Sequence, residues 1–231
     1  MKKIDQIMEQ ASQSLVRTAY LEAEQLCLEA LSLAKTQKDW GYYSRILLPL
    51  QETRRQRRMI AADGLIQLGT SETHLQMWKD EKPIGCLVVT TEEDEIEAQN
   101  MLQDARSEQR HLEILFAEVN SDATTWTIRM PSQAHIAIAL PAPPPTWCDR
   151  AFPASQIPET GHNPQANGPA GWFLYASEKL GDAAIEHAIQ ADTPQESIAL
   201  LEQALETIGD HELLHQTLMN TIQEAMRSQI L

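Results

Sequence analysis

The sequence predicts a mixed α and β protein, mostly helical, in which antiparallel helix pairs at both ends bracket a small central β-α-β-β-β unit of about four strands. Three observations point there. Apolar residues recur at helical spacing over residues 4–62 and again over residues 172–231. Two short apolar runs rich in β-branched residues, at 84–89 and 112–119, flank an acidic, helix-like stretch. Residues 141–171 hold eight of the 12 prolines and three of the nine glycines, which separates the middle of the chain from its C-terminal end.

In the N-terminal segment, residues 1–64, the spacing predicts helices over 4–16, about 19–35 and about 39–61. Their short connections make them antiparallel neighbours. Pro49 removes one backbone hydrogen bond, but periodic residues continue beyond it, so the third helix is expected to kink there and not to end. Residues 65–78 carry mixed signals, with Gly69-Thr70-Ser71 marking a turn.

The α/β unit is expected over residues 65–140. The runs at 84–89 and 112–119 with a helix at 92–109 between them read as β-α-β, with parallel strands and a right-handed crossover. Residues 126–130 and the alternating Ile136, Ile138 and Leu140 read as two further strands. The Pro-rich residues 141–171 are incompatible with regular helix or a central strand, and read as a surface strap or a linker. The C-terminal segment, residues 172–231, is expected to hold helices over about 172–190, 194–208 and from 212 onward. Asp192 or Thr193 would serve as the cap before Pro194, and Gly209 as a stop.

A chain of 231 residues with 42% hydrophobic and 22% charged residues has enough apolar material to fold without disulfides or structural metal. Its formal net charge of -15 opposes binding to nucleic acid or to an anionic membrane surface. The charge is uneven: residues 1–68 carry a net +2 and residues 69–231 a net -17, so an anionic partner would approach the N-terminal part. Cys27, Cys86 and Cys148 are odd in number and widely spaced, which fits reduced thiols, and the first two sit in apolar contexts that read as core. Asp5 and Glu9 interrupt any signal-peptide core, and no run approaches the ~20 apolar residues of a membrane span. A cytoplasmic location is the expectation.

Residues 20–33, Tyr20-Leu21-Glu22-Ala23-Glu24-Gln25-Leu26-Cys27-Leu28-Glu29-Ala30-Leu31-Ser32-Leu33, resemble the second helix of a tetratricopeptide repeat, and residues 196–206 resemble the same helix. Small residues such as Ala23 and Ala30 let a paired helix approach closely, while large ones fill the space between neighbouring pairs. The match, within residues 4–62 and 172–231, is partial: the usual Trp, Gly and Tyr of the first repeat helix are missing before Tyr20, and no Pro closes the unit after Leu33. The resemblance implies helical hairpins that bind other proteins through a concave surface.

Four clusters bear on chemistry. His211-Glu212-Leu213-Leu214-His215 fits the H-E-x-x-H pattern in which two His on one helix face hold zinc and the Glu acts as base. Against it stand its position in a first helical turn, where the backbone dipoles oppose a cation, and the shortage of a third ligand beyond Glu224. Arg54, Arg55, Arg57 and Arg58 form the basic cluster; they would either recognise a phosphorylated or acidic partner or pair with the chain's own carboxylates. Thr90-Thr91-Glu92-Glu93-Asp94-Glu95, after the first strand of the β-α-β unit, lacks a glycine nest and already places acids where a phosphate would sit. Those acids would compensate the helix dipole or chelate a divalent cation. Trp147-Cys148-Asp149, with His162 nearby in sequence, presents the most exposed thiol context.

The function expected is therefore a non-catalytic protein-protein interaction or scaffold role with a protein or peptide partner, Arg54, Arg55, Arg57 and Arg58 forming the candidate contact. No cofactor, metal, nucleic acid or membrane enters that reading. The alternatives are a zinc-dependent hydrolase working through residues 211–215 and a self-associating structural subunit.

Overall fold

The computed structural model describes residues 2–121, 123–131, 133–148, 150–154 and 168–228. It divides into a helical unit, Met1–Arg57 with Gly181–Leu231, and an α/β unit, Arg58–Leu180. The two ends of the chain thus build one body. Mostly helical structure with a mixed sheet in the middle of the chain is what the periodicities predict.

Helices α1 (Lys2–Val16), α2 (Tyr20–Thr36) and α3 (Trp40–Ala62) follow one another through tight turns, and α3 continues through Pro49. In α2 the small residues Ala23, Cys27, Ala30 and Ala34 are all fully buried, so the helix meets its neighbours along a low ridge that permits close approach. The C-terminal end contributes α6 (Gly168–Ala188), of which the part from Gly181 belongs to this unit, with α7 (Pro194–Thr207) and α8 (Glu212–Arg227). Thr193 caps α7 by accepting from the Glu196 N–H, with Pro194 at the first position. Lys35 at the end of α2 reaches Glu202 of α7 at 2.6 Å, and the Tyr43 hydroxyl of α3 donates to the same carboxylate. Helices from opposite ends of the chain are therefore tied by named side chains.

The α/β unit runs β1 (Leu65–Leu68), α4 (Glu72–Glu81), β2 (Gly85–Val89), α5 (Glu95–Ser107), β3 (Leu112–Val119), β4 (Thr125–Met130), β5 (Gln133–Pro141) and β6 (Phe152–Pro153). The sheet order is β5-β4-β3-β2-β1-β6, with β1, β2 and β3 parallel and the rest antiparallel. Two successive crossovers in one direction put α4 and α5 on the same face, where Leu75 and Trp78 of α4 and Ala98, Met101 and Ala105 of α5 share a core with Leu87, Ile114 and Phe116. On the opposite face Trp172 of α6 meets Trp126 edge-on at 5.4 Å and donates its indole N–H to the Pro141 carbonyl at 3.1 Å.

Six strands replace the expected four. β1 lies within the mixed-signal residues 65–78, where the polar Gln67 breaks the apolar run; Gln67 is fully buried and donates to the carbonyls of Gly69 and Cys148. β6 is a two-residue edge strand inside the Pro-rich stretch, a position that tolerates proline because one side of the strand needs no donor. The same stretch also yields the start of α6 at Gly168, where Pro169 sits in the first turn and disrupts no hydrogen bond. Asp149 and His162 lie outside the described residues.

Candidate functional site

The arginine run divides by helical geometry. Arg54 and Arg57, three residues apart on α3, face inward to Glu24 of α2: Arg54 Nε stands 2.8 Å from one carboxylate oxygen, and Arg57 Nη1 donates to the other. All three side chains are buried. Arg55 points to solvent and pairs with Glu52 on its own helix, while Arg58 donates to Ser177 within the α/β unit. The four guanidinium groups do not share a surface, and the pairing with the chain's own carboxylates accounts for three of them.

Gly209 sits at the centre of the inner cluster. Its carbonyl accepts from Arg54 Nη1 at 3.3 Å and from His215 Nε2 at 2.8 Å. A side chain at this position would crowd the Arg54 stem, which is 3.3 Å from where a Cβ would stand. The residue therefore serves close approach, while α7 itself ends at Thr207 with Ile208 as its C-cap.

His211 and His215 are both fully buried and act separately. His211 caps α8: its Nδ1 accepts from the Leu214 N–H at 3.1 Å, which leaves the proton on Nε2, 3.6 Å from Asp182. His215 carries its proton on Nε2 to donate to Gly209, and its Nδ1 has no hydrogen-bond partner among the described residues. Burial pulls the His215 imidazole down to about 4, against the hydrogen bond to the Gly209 carbonyl and with the Arg54 charge acting in the same direction as burial. A zinc pair on one helix needs two bare nitrogens aimed at one point. Here His211 Nδ1 is taken by the Leu214 N–H, the His215 Nε2–H is donated to the Gly209 carbonyl, and Glu212 is exposed and accepts from Gln216.

Two of the four acids in the turn after β2, Asp94 and Glu95, are engaged by the protein's own side chains. Glu95 holds Arg129 with two hydrogen bonds of 3.0 and 2.6 Å, and the Thr91 hydroxyl donates to Asp94. Thr90 Oγ1 accepts from the Thr70 N–H at 3.1 Å, which pins the turn after β1 to the turn after β2. Cys27 and Cys86 are buried as expected, and burial, assisted by the Glu24 charge, pushes the Cys27 thiol up to about 12. Cys148 is half-buried.

Among the hollows of the helical unit, one of about 320 Å³ opens between α2, α3, α7 and α8. Leu31, Leu47, Leu50, Leu205 and Leu218 make its floor, and Leu28, 42% exposed, stands at its lip. Lys35, Tyr43 and Glu202 close one side; burial, then the Glu202 charge, raise the Tyr43 phenol above its ordinary range. One turn along α7, Glu206 lines the hollow with an exposed carboxylate that has no ion-pair or hydrogen-bond partner among the described residues. Sequence reasoning missed this group because its members are spread over residues 28–218. The one local signal is Leu28, an apolar residue outside the buried Ala23-Cys27-Ala30 ridge.

No family model matches the chain, nor does any curated protein or solved structure. No helix among the described residues is long and apolar enough to cross a membrane.

Proposed function

We propose that the protein is a non-catalytic interaction module whose helical unit takes a short segment of another protein into the hollow between α2, α3, α7 and α8. The observation that carries this is a leucine floor beside an unpaired carboxylate. At about 320 Å³ the hollow lies at the lower end of the range of ligand sites, roughly 300–1,000 Å³, and fits one bulky side chain with part of its neighbours. The free carboxylate of Glu206 favours a Lys or Arg next to that apolar anchor. The tetratricopeptide resemblance of residues 20–33 and 196–206 supports the same reading, since α2 and α7 both line the hollow.

Selection from a random displayed-peptide library against the purified protein tests it. Enriched peptides should share an apolar residue beside a basic one, bind the wild type, and lose binding to Leu28→Arg and to Glu206→Lys. Enriched peptides that bind both variants as well as the wild type would place recognition elsewhere, and a selection that enriches nothing would remove the support for this function.

A further inference from the structure

The second surface is the outer edge of β5. In the sheet order β5-β4-β3-β2-β1-β6 this strand has a neighbour on one side only among the described residues. The Ala142 N–H donates to the Thr124 carbonyl, which sets the alternation of the β4–β5 ladder. Ile138 and Leu140 turn their backbone groups toward β4, while Ala137 and Ala139 turn theirs outward. Both alanines are exposed, and neither has a further hydrogen bond among the described residues.

Natural sheets protect such edges with Lys, an interior Pro, a bulge or a short strand. β5 spans nine residues, Gln133–Pro141, contains no Lys, Arg, Asp or Glu, and keeps proline at its last position. The register shift at Arg129/Met130 falls at the start of β5, so the stretch from Ala137 onward is regular. The other edge of the sheet is closed by different means: β6 has two residues, one of them Pro153, which has no N–H to offer.

We propose that β5 pairs antiparallel with β5 of a second copy, joining the two sheets across a two-fold axis near Ile138. The outward groups are self-complementary: the N–H and C=O of Ala137 meet those of Ala139 in the other copy, and the reverse pair follows by symmetry. No charge must be neutralised, and the methyl side chains let the strands come to ladder distance. Ile138, half-buried in the single chain, is covered by its own counterpart. Because β6 does not offer a second open edge, association stops at two copies and does not propagate. Trp172, which occupies the Pro141 carbonyl, bounds the pairing at that end. This surface lies in the α/β unit and is independent of the helical hollow.

Sedimentation velocity across the micromolar range decides it, with the full chain and two variants. The wild type should approach twice the 26.0 kDa of one chain. Ala139→Pro removes an outward N–H that the strand's own ladder does not use, so it should keep the native circular dichroism while weakening association about tenfold or more. Ala137→Lys puts a natural edge-blocking charge at the same place and should do likewise; if the proline variant fails to fold, the lysine variant carries the test. A wild type that stays at the mass of one chain at the highest concentration overturns the proposal. So does a dimer that survives the folded variants unchanged.

Discussion

A Cβ added to Gly181 would stand 2.1 Å from Cδ2 of His211, so the imidazole lies directly on the bare backbone of α6. That contact holds the ring that caps α8. Gly181→Ala gains about 1 kcal/mol of helix propensity but forces the ring off its seat. The net result is a loss of about 2 kcal/mol in urea unfolding, the usual scale of overpacking. In a His211→Ala background the same substitution should be nearly neutral, and the double-mutant cycle measures the coupling.

Glu24 is the shared anion of two buried arginines, Arg54 and Arg57. Glu24→Ala removes the carboxylate that both buried arginines bond and is expected to lower unfolding free energy by about 3–5 kcal/mol. Arg55→Ala, which breaks only a solvent-exposed pair with Glu52, should change it by less than about 1 kcal/mol. Parallel denaturant titrations of the two variants separate the buried ion triad from the surface run.

His215 makes stability depend on pH. Its folded value of about 4 lies below the ordinary 6.5. The unfolded chain therefore binds the proton more readily, and the stabilisation is complete above pH 6.5 and lost as pH falls toward 4. Between pH 7 and pH 5 this group accounts for a loss of about 2 kcal/mol. His215→Gln, which keeps an N–H for the Gly209 carbonyl, should flatten that part of the pH profile by a similar amount; an unchanged slope would refute the assignment.

Thiol reactivity should follow burial. A chromogenic disulfide reagent at neutral pH is expected to titrate Cys148 in the native protein and all three thiols after denaturation. Cys27, fully buried and pushed up to about 12, and the buried Cys86 should react only on unfolding.

Zinc offers a test of residues 211–215. Since the His215 Nε2–H is donated to the Gly209 carbonyl, equilibration with zinc followed by desalting should leave no stoichiometric metal that depends on His215. Metal retained by the wild type and lost in His215→Ala would restore the hydrolase reading.

The positions of the elements were legible in the chain because their causes are local. Helical spacing placed α1 to α3 and α6 to α8, β-branched runs placed β2 and β3, alternation placed β5, and Thr193-Pro194 marked the start of α7. β1 was obscured where burial of Gln67 is made tolerable by carbonyls that the local sequence does not reveal, one of them as distant as Cys148.

What the tertiary structure decided is the fate of each charged and ring-bearing side chain. The sequence determined that Arg54, Arg55, Arg57 and Arg58 lie on one helix; only folding, by bringing Glu24 from 30 residues upstream, made Arg54 a buried partner and left Arg55 in water. The sequence likewise determined that His211 and His215 stand one turn apart, yet the Leu214 N–H and the Gly209 carbonyl set which ring nitrogen of each carries the proton. The hollow needs both chain ends at once. Spacing along a chain fixes which residues share a helix face, whereas a desolvated charge or imidazole is stabilised by whatever group the fold carries to it.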